Sequence, residues 1–334
     1  MRAAIVGIVA GLGILAAGCG SGPRVVLYCG QDEEYARDLL QDFQRRTGIR
    51  VQVRADTEAN KSVSLYEAIV RESRHPRCDV FWNGEPLNML RLHRQGLLQA
   101  TPTSVADPFP QWAKAPDQTW YAFAARARIL LVHNRVPEEE RPKSMLELTQ
   151  PRWKGRVAMA KPQFGTTATH AACLFAVLGR ERARDFYQQL RPNVTLLPGN
   201  KDVAVAVAEG RFDVGLTDTD DAIIEVRRGR PVTIVYPDQE EEGLGTLFLP
   251  NMVAVVKGAP NPDSARRLLE YLLSPEVERR LAEGRSAQIP LNPNVQAQLP
   301  IPGPSQVKAM AVDFGQAAEL WEEVQAFLRQ EYAR

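Results

Sequence analysis

The chain has 334 residues, 41 basic and 40 acidic side chains for a formal net charge of +1, and 44% hydrophobic residues. So even a balance gives no electrostatic footprint for nucleic acid, and the apolar content suffices for two cores, into which chains of this length commonly divide. The opening stretch MRAAIVGIVAGLGILAAGC carries one charge, Arg2, and then small and apolar residues up to Cys19, the pattern of an export signal. Losing Arg2 with that signal takes the net charge to zero, and no later apolar run reaches the ~18 residues needed to cross a bilayer.

From residue 24 the elements alternate. RVVLYC (24–29) is a short apolar strand, DEEYARDLLQDFQRRTG (32–48) has helical spacing closed by Gly48, and IRVQVRA (49–55) alternates as a strand does. A helix around 64–74, the strand CDVFWN (78–83) and a helix over 86–96 follow. The same grammar restarts with GRVAMA (155–160), a helix over 169–179, NVTLLPG, a helix over 201–210 and the strand FDVGL. Between the two blocks lies a long extended segment, YAFAARARILLVHN (121–134), and TLFLPNMVAVVKG (246–258) is its return. The chain closes in helices over 263–284 and 316–334. This succession predicts an α/β fold with parallel sheet and helices on both faces, in two lobes joined by two hinge-crossing segments. The domain boundaries expected are a signal at 1–19, a first lobe at 20–126 continued at 251–300, a second lobe at 127–250, and a C-terminal helical segment at 301–334.

Cys29, Cys78 and Cys173 show no spacing that suggests zinc or a redox pair, and are expected as free thiols packed in the core. The unusual feature is GLTDTDDA (215–222), which sets Asp218, Asp220 and Asp221 where a strand hands over to a helix. Helix capping accounts for acidic residues at such a place; so does a ligand site. No H-E-x-x-H, G-x-S-x-G or Walker A motif accompanies it. An Asp-x-Asp after an apolar run superficially resembles the nucleophile motif of Mg-dependent aspartate-based phosphohydrolases, although it arrives late in the chain and Ala222 stands where that family has Thr or Val.

The ordered set VVLYCGQDEEYARDLLQDFQRRTGIRV, CDVFWNGEPLNMLRLHRQGLL, GNKDVAVAVAEGRFDVGLTDTDD and LEYLLSPEVERRLAEG with QIPLNP resembles the periplasmic solute-binding proteins of ABC importers, in particular the ferric-iron-binding branch of the type II clamshell fold. The start resembles a lipoprotein signal, with Cys19 as the lipidated residue. The resemblance implies a monomer without catalytic residues or a resident cofactor. Such a protein is held at the periplasmic or cell surface by its lipid anchor alone. It captures a small solute and delivers it to a permease and ATPase complex.

Carried over residue by residue, the resemblance puts Asp32 in the place of the family's histidine, Gly84 or Glu85 in that of its glutamate, and Asp220 and Asp221 in that of its tyrosine pair. Those four acidic residues, Asp32, Glu85, Asp220 and Asp221, are the implied metal ligands. In the family a loop and helix N-terminus hold an anion such as phosphate or carbonate, and Gly165, Thr166 and Thr167 of KPQFGTTATH lie there. Asn200 and Lys201 of PGNKD, together with Asp218, complete the second-lobe side. Trp82 and Tyr28, near strand ends, are candidate cleft walls, and Arg126 and Arg128 are candidate partners for the aspartates. So much acid requires a cation: ferric iron with an anion, another hard metal, or an organic cation against a ring face. The alternative cargo is an organic solute such as a polyamine, thiamine, an organophosphonate or a sugar phosphate.

Overall fold

The computed structural model describes residues 22–31, 33–56 and 63–332. In the first lobe β1 (Arg24–Cys29), β2 (Arg50–Ala55) and β3 (Val80–Asn83) pair in parallel through α1 (Glu33–Thr47) and α2 (Val63–Arg71), with α3 (Pro86–Arg94) after β3. Helix α1 buries Tyr35, Ala36, Leu39, Leu40 and Phe43, one face at helical spacing, each large side chain contributing roughly 1.5–3 kcal/mol. It ends before Gly48, whose φ of 69° suits the left-handed position after a helix.

Strand β5 (Tyr121–His133) is common to both lobes. Residues 121–127 pair antiparallel with β10 (Phe248–Val256), whereas residues from Arg128 onward pair with β8 (Val214–Asp218) and β9 (Val232–Val235). The second lobe adds β6 (Val157–Ala160), parallel to β8 and to β7 (Val194–Leu197). Its helices are α4 (Gly165–Leu178), α5 (Arg180–Leu190), α6 (Asn200–Ala208) and α7 (Thr219–Arg227). The complete strand order is β2-β1-β3-β10-β5-β8-β6-β7, with β4 (Leu98–Gln99) on β10 and β9 on β5. Parallel pairing therefore holds within each lobe. The sheet is mixed because β5 and β10 run against their neighbours.

Two irregularities sit where the lobes join. The ladder between β10 and β5 slips at Pro250/Asn251, Pro having no N–H to give. Opposite them Ala124 has a φ of 40°, a conformation that strains any residue with a β-carbon. Its peptide groups are held from outside the ladder: the N–H donates to Glu278 Oε1 at 2.7 Å and the carbonyl accepts from Asn251 Nδ2.

The long terminal helices expected from sequence are each divided. Pro275 ends the first, giving α8 (Pro262–Leu272) and α9 (Pro275–Glu283), with Ser274 capping the second piece by accepting from Val277 N. The last segment forms α10 (Phe314–Glu319) and α11 (Trp321–Tyr332). Helix α10 lies over α3 and α4, while α11 sets Phe327 against Phe175 and Tyr332 edge-on to Tyr187 in the second-lobe core. Cys29, Cys78 and Cys173 are buried thiols.

Candidate functional site

Between the lobes lies a small cavity of about 30 Å³, walled by Gln31, Gly84 and Glu85 of the first lobe, Arg126 of β5, and the starts of α4, α6 and α7. Asp218 ends β8 at the N-cap position of α7, with extended backbone (φ −108°, ψ 154°), yet its side chain makes no cap bond. It turns to Arg128, which stands directly across from it in the β5–β8 register. Its carboxylate accepts from Arg128 Nη1 at 2.8 Å, Thr166 Oγ1 at 2.6 Å and Asn200 Nδ2 at 3.1 Å. Burial alone would push this carboxyl's pKa up; Arg128 and Arg126, with the Thr166 hydroxyl, outweigh it and hold the group below the usual carboxylate range.

Arg128 is the centre of a wider network. It also donates to Asn200 Oδ1 at 3.0 Å and to His170 Nδ1 at 3.4 Å. Accepting at Nδ1 leaves the His170 proton on Nε2, and burial followed by the charge of Arg128 lowers the ring's pKa to about 3. The aspartate, arginine, threonine and asparagine thus form a buried hydrogen-bonded cluster that fixes the wall of the cavity and holds the Asp218 carboxylate in place there.

Asp220 and Asp221 occupy the first turn of α7 and are buried. With Asp218 they offer one carboxylate oxygen each within 4.8 Å of one another, close enough to share a metal ion. The Nε of Arg126 lies 3.7 Å from Asp220 Oδ2 and 3.5 Å from Asp218 Oδ2. Facing them is the N-terminus of α4, whose Phe164 cap supplies no side-chain acceptor and whose Gly165 adopts a φ of 55°. The first backbone N–H groups of α4 and its dipole favour negative charge there. Gln31, 5% exposed on the cavity wall, has a buried Nε2 without an acceptor. A site with hard anionic oxygens on one side and N–H donors on the other accommodates a cation and an oxyanion together.

Several sequence expectations find their residues elsewhere. Glu85 reaches the cavity wall, but its carboxylate is committed: it caps α3 by accepting from Leu87 N and Asn88 N, and accepts from Asn83 Nδ2 and Thr169 Oγ1. That makes it a tie between α3 and α4 in place of a free metal ligand. Trp82 is wholly buried in the first-lobe core, stacked near Phe123 and donating to Asn251 Oδ1, so it is no cleft wall. Tyr28 is likewise turned away, donating to Glu72 and lying under Arg54. Lys201 spans from α6 to Glu34 of α1 at 2.8 Å. Thr167, by contrast, is on the cavity wall, where its hydroxyl donates to Asn200 Oδ1. Asp32 and Cys19 lie outside the described residues.

Gln31 and Lys161, both on the cavity wall, were not anticipated from sequence. Nothing marks a single glutamine or lysine in a loop. Arg126 and Arg128 did carry a signal in their spacing: two charges at i and i+2 of an otherwise apolar strand must share one face.

The model of the family described as bacterial extracellular solute-binding protein matches residues 25–284, and the chain belongs to that family. Iron uptake protein A1 of Synechocystis sp. is 26% identical over 292 residues, spanning 83% of this chain and 79% of its own. Iron-bound HitA from Pseudomonas aeruginosa superposes with a TM-score of 0.84 at 22% identity, covering 93% of this chain and 100% of that one. AfuA from Actinobacillus pleuropneumoniae, with fructose-6-phosphate bound, gives 0.83 at 22% identity, covering 94% and 99%. At these identities the structures share the fold, a two-lobed periplasmic-binding-protein clamshell.

Proposed function

We propose that this protein captures a hard metal cation, ferric iron foremost, together with an oxyanion between its lobes and hands it to an ABC importer, without chemistry on the cargo. The observation that carries this reading is the placing of three buried carboxylates within 4.8 Å of one another, across a cavity of about 30 Å³ from the N-terminus of α4. Oxygen donors of this kind suit hard cations. Relatives named for iron uptake support the choice of metal. Aspartates in place of tyrosines make selectivity for the ferric over the divalent ion weaker than a phenolate pair would give.

Lobe boundaries at 20–126 with 251–300 and at 127–250 belong to the same reading, and the change of partners along β5 supports them; the helices expected to stand apart at 301–334 instead pack on the second-lobe core through Phe327 and Tyr332. An anchor through lipid on Cys19 also belongs to this reading, and the small and apolar run leading to AAGC supports it. Replacing Cys19 with Ser and following the protein between membrane and soluble fractions tests the anchor.

The test of the cargo is a thermal-shift and calorimetric titration of chelator-stripped protein with Fe³⁺, with and without phosphate or carbonate. A ligand at 100 times its dissociation constant adds about 2.7 kcal/mol. A shift only with a phosphorylated organic solute would favour the second reading, which the fructose-6-phosphate complex of AfuA and the N–H groups of α4 support.

A further inference from the structure

The guanidinium of Arg126 lies in the seam between the lobes. It leaves β5 just before that strand changes partners and donates from Nη2 to the carbonyl oxygen of Gly84 in the first lobe. Its Nε faces Asp218 at 3.5 Å and Asp220 at 3.7 Å in the second. Gly84 makes this reach possible: a β-carbon there would stand 2.9 Å from Arg126 Nη2 and 3.0 Å from Gln31 Oε1. Asp218 is already held by Arg128 at 2.8 Å, by Thr166 and by Asn200. The charge of Arg126 is therefore in excess of what Asp218 needs, and it falls on the rest of the acidic cluster.

We propose that Arg126 is the specificity-determining residue of the cleft, a tethered cation at the approach to Asp220 that makes the site accept a cation–oxyanion pair and discriminate against a bare cation. This rests on the cation reading above. A guanidinium cannot shed its proton to relieve repulsion, and like charges a few ångströms apart repel far more strongly in a buried cleft than in water. An arriving bare metal ion must displace Arg126 from the aspartates. An ion that brings phosphate or a carboxylate gives the same guanidinium a new partner, which its planar donor fork is shaped to hold. Three carboxylates against Arg126 and Arg128 leave the cluster short of the charge needed to neutralise a di- or trivalent ion alone.

The experiment is calorimetric titration of the chelator-stripped protein with Mn²⁺, and with Fe³⁺ supplied as its nitrilotriacetate complex, each with and without phosphate, for wild type, Arg126→Met and Gly84→Ala. Arg126→Met is expected to bind Mn²⁺ alone at least about tenfold more tightly than wild type and to lose the benefit of phosphate. Gly84→Ala, which keeps every charge and pushes the guanidinium aside, is expected to move the same way, and it serves alone if Arg126→Met does not fold. Unchanged or weaker metal binding in the folded variants overturns the role of Arg126 while leaving the cation reading standing if wild type binds metal. If wild type and both variants bind neither metal under any condition, the cation reading falls and this inference with it.

Discussion

Arg128 and Asp218 face each other across the β5–β8 pair with Nη1 2.8 Å from Oδ1 and side chains only 2% and 3% exposed. A charge so placed has no water to fall back on. Removing either partner, as in Asp218→Asn or Arg128→Met, is expected to cost about 3–5 kcal/mol in urea unfolding. Replacing both together should cost less than the sum, because the two share one interaction. Additive losses would mean that the pair contributes nothing as a pair.

Asp220 and Asp221, on the cavity wall, are the residues the proposed function assigns to the cargo. Replacing both with Ala is expected to abolish metal binding in calorimetry while leaving the unfolding midpoint of the metal-free protein within a few degrees of wild type. Retained affinity would remove them from the site.

His170 gives the fold a pH limb of its own. Its folded pKa, lowered to about 3 by burial and then by Arg128, lies below the ordinary 6.5. The unfolded chain binds this proton first as pH falls. The contribution is therefore complete above about pH 6.5 and is lost progressively down to about pH 3, with a slope of at most about 1.4 kcal/mol per pH unit. In His170→Phe the stability measured between pH 6.5 and 4.5 should fall less steeply than in wild type. Identical slopes would show that the ring is protonated in the folded state.

Lys201 of the second lobe pairs with Glu34 of the first at 2.8 Å, with both side chains partly exposed. Such pairs contribute at most about 1 kcal/mol and are screened by salt. Lys201→Met should therefore weaken cargo affinity by roughly two- to fivefold at low ionic strength, and stopped-flow release rates should converge with wild type in high salt. A defect that persists there would place Lys201 on the cargo itself.

Much of the fold was legible because its signals are local. The apolar runs at 24–29 and 78–83 and the Gly48 stop needed no knowledge of the rest of the chain, and the structure has β1, β3 and the end of α1 there. The break before Pro275 is equally local, yet the helical spacing resumes beyond it, so that two helices read as one. Helix α5 and the strand β9 lack a strong local signal; the first opens on five charged residues among its first six, and the second has only four residues. At the site, the aspartates stood out by density, yet their division of labour did not. Whether a carboxylate caps, pairs or remains for cargo depends on what faces it, and Arg128 lies 90 residues from Asp218. Trp82 follows the same rule, since its partner Asn251 lies 169 residues away; Glu85 differs, being held by its neighbours Asn83, Leu87 and Asn88 as a helix cap and by the remote Thr169.

The position of β10 between β3 and β5 also sets an order of events in folding. The second-lobe strands from β6 to β9, with the helices between them, are contiguous in the chain, whereas the first-lobe sheet lacks an inner strand until residue 256 is available. Closing that long loop is slow compared with pairing neighbours. The second-lobe strands should therefore pair first, with their core closed later by α11, while the first-lobe sheet waits, partly collapsed, for a strand encoded over 160 residues after β3. Pulse-labelled amide exchange during refolding is expected to find β6 and β8 protected before β1 and β3, and simultaneous protection would contradict this order. A chain built this way stays open to a translocation machine or a chaperone until its last third has arrived.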